Sequence, residues 1–255
     1  MSTWIAGYIL AERYGLSLLP ASIDPRWADY LNLRALYGPH PPDRARRVRL
    51  PPIGGDQDPA GLGLLDAIVT RYRDERPVFI LAYDQHWWDM RPAEEALRNA
   101  FWQSPSRSGQ AVDNGRLAIH VRRGDIRGLL GTASGDQAWM DGEWFTRVAG
   151  RCVEERRSTQ HPITEVVVSG QEFDGEIDRG LELLGLPVSW LVSDDPIEAF
   201  DSLAGAQVML GSPSGFSYLA GMVNRGKVLM PDHFWHPLPA NEHWTKVDKS
   251  GNPGA

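Results

Sequence analysis

Leu117-Ala118-Ile119-His120-Val121-Arg122-Arg123-Gly124-Asp125 is the stretch on which the fold and the chemistry of this chain turn. Five residues of strand-forming character run straight into two arginines, a glycine and an aspartate. Along an extended backbone side chains alternate, so Leu117, Ile119 and Val121 share one face while Ala118, His120 and Arg122 share the other. Gly124 lets the chain turn where the strand gives out. Two guanidiniums at the carboxyl end of a buried strand are costly unless an anion meets them, and the planar fork of arginine suits phosphate oxygens. Asp125 is expected to pair with one arginine, fixing its orientation and leaving the other for a ligand. The competing reading is a structural arginine–aspartate network; for His120 alone, it is a core histidine.

Outward from this strand the pattern alternates between β and α. Asp141 to Arg157 has apolar residues at helical spacing (Phe145, Val148, Cys152), after a Gly-rich loop that runs through Gly135. Thr164 to Ser169 carries Val166, Val167 and Val168 in a row, as in a strand covered on both faces. Helix Gly175–Leu184, strand Val188–Val192, helix Pro196–Gly205, strand Gln207–Leu210, helix Ser214–Asn224 and a last strand Lys227–Met230 follow. Strands separated by mostly helical connections predict a doubly wound parallel sheet with right-handed crossovers. The first half is less regular: a helix over Ala6–Tyr14, a strand over Leu16–Leu19, a helix over Gly61–Arg73, a strand over Val78–Tyr83 and a helix over Pro92–Trp102. The Ser- and Gly-rich stretch Gln103–Asn114 marks the division into residues 1–110 and 111–255. Two α/β halves predict a ligand cleft at the carboxyl ends of the strands.

A second anion site is suggested by Met209-Leu210-Gly211-Ser212-Pro213-Ser214-Gly215-Phe216-Ser217. A strand ends, small residues follow, and a helix opens with hydroxyls in its first turn. Free backbone N–H groups and the positive end of the helix dipole attract phosphate there. Ser214 and Ser217 would add side-chain donors, and Gly215 would let the ligand approach the backbone. An ordinary serine cap is the plain alternative.

Composition narrows the function classes. The formal charge of −7 argues against general nucleic-acid binding, which needs a basic face. Arg44, Arg46, Arg47 and Arg49 form the basic cluster of the first half, read as solvated surface. The single cysteine, Cys152, excludes an internal disulfide framework and suits a packing residue in a reducing cytoplasm. No run of 18 or more apolar residues suggests a membrane span, and Glu12 and Arg13 interrupt the apolar run at the amino terminus as no signal peptide would. Asp56-Gln57-Asp58 has the Asp-x-Asp spelling of metal-dependent transferases but precedes the helix at Gly61, where a loop and capping role is expected. Asp84, His86 and Trp87 at a strand end are candidates for the acceptor side, since sugars stack on aromatic faces.

The arginine stretch resembles the His-x-Arg-Arg-x-Asp signature of the fucosyltransferases that make α1,2 and α1,6 linkages, a superfamily that includes the protein O-fucosyltransferases. Ser214-Gly215-Phe216-Ser217 is similar to their Ser-Ser-Phe-Ser segment, with glycine at the second serine. Together the two motifs span residues 115 to 231. The resemblance implies a GT-B fold whose carboxyl-terminal half binds a nucleotide sugar. It implies that Arg122 grips the β-phosphate as the catalytic residue and that His120 lies near the base. Arg123, Asp125, Ser214, Gly215, Phe216 and Ser217 complete the donor site. The expected reaction moves L-fucose from GDP-fucose to a carbohydrate or other hydroxyl acceptor, inverting and without metal or other cofactor.

The chain departs from the family pattern in places. The strand and Gly-x-x-Asn segment that usually comes first does not precede Met1-Ser2-Thr3-Trp4; the element is missing, the start is misplaced, or the protein is a reduced member. Where the family carries a guanine-reading aspartate this chain has Ala199, with Glu198 beside it as the candidate substitute. No motif assigns the general base. A transferase for another nucleotide sugar and a non-catalytic nucleotide-sugar-binding or scaffold protein therefore stand as alternatives.

Overall fold

The computed structural model describes residues 2–20, 23–39, 41, 44–52, 54–81, 89–107, 109, 115–172, 175–192, 195–234 and 236–254. They fall into two compact units: residues 1–108 with 236–240, and residues 109–235 with 241–255.

The first unit contains helices α1 (Ser2–Tyr14) and α2 (Pro25–Tyr30), strand β1 (Arg47–Arg49), helix α3 (Pro59–Tyr72), strand β2 (Val78–Ile80) and helix α4 (Arg91–Trp102). The strands form a two-stranded parallel sheet, Arg47 opposite Val78. Two of the helix starts have a local side-chain cap. Asp24 accepts from the Arg26 N–H ahead of α2, and Asp58 accepts from the Gly61 N–H ahead of α3, each followed by proline at the first helical position. In α4 the buried residues Ala93, Leu97, Ala100 and Phe101 recur at helical spacing and form one apolar face. The strand expected over Leu16–Leu19 is absent. Gly15, at φ 61°, closes α1 instead, with the Leu16 N–H donating back to the Ala11 carbonyl at 2.8 Å. Arg107 lies with its guanidinium 4.3 Å from the Tyr30 ring centroid and 4.0 Å from that of Phe101.

The second unit is built on a six-stranded, all-parallel sheet. Its strands are β3 (Arg116–Val121), β4 (Glu165–Gly170), β5 (Val188–Val192), β6 (Val208–Leu210), β7 (Lys227–Pro231) and β8 (Trp244–Val247), in the order β5-β4-β3-β6-β7-β8. Between them run α5 (Gly124–Arg127), α6 (Ala133–Ala138), α7 (Gly142–Arg156), α8 (Gly175–Glu182), α9 (Pro196–Ala204) and α10 (Gly215–Val223). Leu117, Ile119 and Val121 of β3 pack with Trp144, Phe145 and Val148 of α7 and Ile177 and Leu181 of α8. Each such side chain contributes about 1.5–3 kcal/mol when withdrawn from water. The other face of β3 carries Ala118 and His120 toward α9 and α10. Both faces of the central strand are thus covered, which explains its apolar composition.

The sequence reading differs here in two respects. The segment expected as a Gly-rich loop after Gly124 holds the short helices α5 and α6, the latter capped by Thr132. A sixth strand, β8, lies beyond the expected last one. It is four residues long and its burial does not alternate, so period-2 patterning could not reveal it. Trp244 of β8 closes over Gly221 of α10, where an added Cβ would lie 2.5 Å from the indole.

Candidate functional site

Strand order sets the position of the site. The chain runs outward from β3 to β4 and β5, then returns to lay β6 on the other side of β3. Connections leaving β3 and β6 therefore diverge, opening a crevice at their carboxyl ends, the usual ligand position in open α/β sheets. Arg122 and Asp125 follow β3; Ser212, Pro213 and Ser214 follow β6. The sheet register brings Ile119 opposite Leu210, so the two motifs, about ninety residues apart in sequence, become neighbours.

A chain of hydrogen bonds locks the two strand ends together. The Ser212 hydroxyl donates to the His120 carbonyl at 2.6 Å and accepts from the Arg122 N–H at 3.0 Å. Ser217 Oγ accepts from the Ser212 N–H at 3.2 Å and lies 2.7 Å from His120 Nδ1. In the tautomer where the Ser217 hydroxyl donates to His120 Nδ1, the ring proton sits on Nε2. His120 keeps some exposure, yet burial, then the charge of Arg122, pushes its pKa down to about 4, so the ring is neutral at physiological pH. Its ring lies 5.0 Å from that of Phe216, which meets Phe200 of α9 edge-on at 5.6 Å.

Arg122 is held in one pose. Its Nε and Nη2 donate to the two carboxylate oxygens of Asp125 at 3.3 and 2.7 Å, and its Nη1 donates to the Pro213 carbonyl at 3.1 Å. The guanidinium beside it holds the Asp125 carboxyl below the usual carboxylate range. One N–H on each terminal nitrogen of Arg122 remains beyond these contacts. The side chain is 25% exposed, so the fork reaches solvent from a fixed base.

The serine turn carries the capping bonds of α10. Ser214 Oγ accepts from the Phe216 and Ser217 N–H groups, capping α10. Ser217 is fully buried behind the turn, its hydroxyl engaged with His120 and Ser212. It braces the turn from inside. Ser212, not among the expected site residues, is the pivot between the strand ends; its place directly after a buried strand was the available signal. Gly215 is exposed, and a Cβ built on it meets nothing within 4 Å, so the space before the first turn of α10 is open.

Arg123 also differs from expectation. It is 1% exposed, its guanidinium 4.0 Å from the Trp139 ring centroid and donating to the Arg122 carbonyl at 3.3 Å. Asp125 pairs with Arg122, and Arg123 turns into the core, because Gly124 starts α5 immediately and sends the two side chains in opposite directions. A Cβ added at Gly124 would meet the end of the exposed Gln171 side chain, which can swing aside, so crowding alone does not demand glycine there. Glu198 is exposed in the first turn of α9, and Ala199 is half-buried. Asp84, His86 and Trp87 lie outside the described residues. Asp58 accepts from the Gly54 and Gly61 N–H groups, and Asp56 accepts from the Asp89 N–H and meets Arg13. Among the described residues no three His, Cys, Asp or Glu side chains gather as a metal site, and no helix is long and apolar enough to cross a membrane. Cys152 of α7 is buried in the core that includes β3, where burial raises its thiol pKa to about 11.

The mixed α/β architecture with its multi-stranded parallel sheet is GT-B-like. A crystal structure of POFUT1 in complex with GDP-fucose aligns over 88% of this chain and 91% of its own, with a TM-score of 0.50 and 10% sequence identity. The apo form of POFUT1 aligns over 87% and 89% respectively, at a TM-score of 0.46 and 10% identity. No family model and no curated protein matches the sequence.

Proposed function

We propose that this protein is a glycosyltransferase whose donor is a nucleoside-diphosphate sugar, GDP-fucose first among them, and that it transfers the sugar to an acceptor hydroxyl with inversion. The observation that carries the reading is the pose of Arg122. A guanidinium aligned by Asp125 and the Pro213 carbonyl stands at the switch point of the sheet, beside the open first turn of α10. The POFUT1 structure named above holds GDP-fucose on the same fold, which supports the choice of donor without deciding it.

In the reaction so read, the acceptor oxygen bonds to the anomeric carbon as the bond from that carbon to the diphosphate oxygen breaks. The electron pair leaves with the diphosphate, and the acceptor proton passes to a base on the acceptor side. Arg122 supplies preorganised donors to the β-phosphate as its negative charge grows, so its contribution is larger in the transition state than in the ground state. Asp125, Ser212 and Ser217 keep that donor set fixed, and neutral His120, in the tautomer with its proton on Nε2, presents a directional donor rather than a second charge. Glu198, at the exposed start of α9, would read the base.

The replacement of the base-reading aspartate by Ala199 favours a second reading, a donor with another base. Thermal shift with GDP, UDP and ADP, followed by release of free sugar from GDP-fucose without acceptor, tests both. Stabilisation by GDP alone together with sugar release supports the proposal, since bound ligand raises stability by mass action. Stabilisation by another diphosphate moves the donor assignment. Binding without turnover of any nucleotide sugar, with or without acceptors, would make the chain a binding protein.

A further inference from the structure

In the first unit, folding enlarges the basic cluster that precedes β1. The Arg46 carbonyl accepts from the Val78 N–H at 2.8 Å, which holds the start of β1 beside the end of α3. The Arg46 guanidinium donates to Glu75 at 2.8 Å and lies 4.5 Å from the Tyr72 ring centroid. Tyr72 ends α3, and the Arg71 guanidinium lies 5.6 Å from the same ring. Arg73 and Arg76 follow in the next turn, where the Arg76 N–H donates to the Arg73 carbonyl at 3.1 Å. Arg44 and Arg47 flank Arg46 in the chain. Six arginines from two stretches of sequence thus meet at one end of α3, and all of them are exposed.

Their charge is poorly compensated. Among the described residues the acids at this end of α3 are Asp74 and Glu75, and Glu75 is taken by Arg46. Asp56 and Asp58 stand at the other end of the helix, and Asp66 accepts from the Tyr14 hydroxyl at 2.8 Å. Arg44, Arg47, Arg71 and Arg76 make no ion pair among the described residues. A chain with a formal charge of −7 needs no positive patch for solubility, so this one points to an anionic partner.

The helix beside the patch selects the partner. Leu65 and Val69 of α3 are buried, whereas Leu64 is 50% exposed, and Ala60, Ala67 and Arg71 share its exposed face at helical spacing. Because none of the six arginines is buried, they offer a broad charged surface rather than a recess for one small anion. A nucleic acid would meet the charges but has no use for an exposed leucine between them. A bilayer surface uses both, since arginines meet headgroup phosphates while an apolar side chain enters the layer beneath. We propose that the first unit docks on an anionic phospholipid surface through the arginines about Tyr72 and the Leu64 face of α3. This surface belongs to a different unit from Arg122 and does not depend on the donor reading.

Sedimentation of the full chain with vesicles tests it. Vesicles of equimolar phosphatidylserine and phosphatidylcholine should bind the protein, vesicles of phosphatidylcholine alone should not, and binding should fall as salt screens the charges. The double variant Arg71→Gln, Arg76→Asn should bind at least about tenfold more weakly, and Arg44→Gln, Arg47→Gln should do the same from the other stretch. Asparagine is chosen for position 76 because its φ of 48° is left-handed. Leu64→Ser should weaken binding by about threefold to tenfold. The altered side chains are exposed, so the variants should melt with the parent. Equal binding to phosphatidylcholine alone, parental binding by both arginine pairs or by Leu64→Ser, or no sedimentation at low salt would each overturn the proposal. Polyglutamate or single-stranded DNA bound as tightly as the charged vesicles, at matched charge, would overturn it too and make the partner an acidic polymer.

Discussion

The two edges of the six-stranded sheet use positive charge differently. At the carboxyl edge one guanidinium, Arg122, is tied to Asp125 and to the Pro213 carbonyl, and behind it Ser212, Ser217 and His120 are bonded to one another. At the amino edge Arg156, Arg225 and Lys227 line one pocket, where the Lys227 ammonium donates to the Glu242 backbone carbonyl. Orientation costs side-chain entropy in advance and is useful only where geometry must be right when charge develops. Attraction alone needs charge without order. The carboxyl edge thus has the preorganised construction that the proposed transfer reaction would use, and each prediction below strains that reading.

The largest expected effect falls on the orientation of Arg122. Arg122→Lys keeps the charge and loses the planar fork, so it cannot hold both Asp125 oxygens and the Pro213 carbonyl while presenting donors to a ligand. Turnover should fall by at least roughly a hundredfold, the size of one lost preorganised transition-state donor, while diphosphate affinity changes little. Melting temperature, diphosphate affinity and transfer rate measured on one preparation check this. A lysine variant that melts early but transfers sugar at the parental rate per folded molecule would make Arg122 a structural residue and erase the contrast between the edges.

Next comes the network behind Arg122, which is open to pH. His120 binds its proton less readily in the folded chain, at about 4, than in the unfolded chain near 6.5. Between these values the unfolded state takes up more protons, so this residue's contribution to stability is complete above about 6.5. It is lost as pH falls toward 4, at a slope on the order of 1 kcal/mol per pH unit. His120→Gln should lack that component when urea denaturation is compared with the parent from pH 7 to pH 4. Parallel curves would mean that the ring is not enclosed as described.

What was legible follows the same physics. Strands β3, β4, β6 and β7 are largely buried, so apolar runs and punctuation marked them, while the half-exposed edge strand β5 was marked by the Gly185 and Pro196 that bound it. The motifs at the ends of β3 and β6 stood out because arginines and small hydroxyl residues are out of place beside such runs. The roles inside the site were not legible. Whether Asp125 takes Arg122 or Arg123 depends on the direction of a four-residue helix, and whether Ser217 faces a ligand or the core depends on the phase of α10. Ser212 escaped because its importance lies in two backbone partners, the His120 carbonyl and the Arg122 N–H, that sequence places ninety residues away. Short β8 and the cations of the amino-edge cavity come from separate elements, and only the register of the sheet brings them together.

Base recognition tests the boundary of the ordered edge. Glu198 is exposed at the start of α9, the helix whose Phe200 supports Phe216 beside His120. If it reads guanine, GDP should bind about tenfold more tightly than UDP, the range of a hydrogen bond to a charged group. Glu198→Ala should then bring the two affinities together, as measured by calorimetry. An unchanged preference in the variant would move base recognition to another residue, and equal parental affinities would remove it from the site.

The smallest effect should come from the Asp56–Asp58 loop of the first unit, whose spelling suggests a metal and whose structure suggests a cap. Asp58 accepts from the Gly54 and Gly61 N–H groups, and these bonds lower its carboxyl pKa. Its contribution to stability is therefore present above the ordinary carboxylate range and is lost as pH falls through the lowered value. Asp58→Ala should reduce the melting temperature by roughly 2–4 °C near neutral pH, as expected for a lost N-cap in a chain of this size, with the gap closing in acid. Asp58→Asn can still cap α3 and should retain most of the stability, whereas a carboxylate ligand to a divalent ion would not be replaced so easily by an amide. Both variants should keep nucleotide affinity and transfer rate, and the parent should remain active in chelator. If turnover instead disappears in chelator, returns with manganese or magnesium, and is lost in Asp58→Asn despite a normal melting temperature, the loop is a metal site. The work assigned to Arg122 at the carboxyl edge would then be shared with an ion.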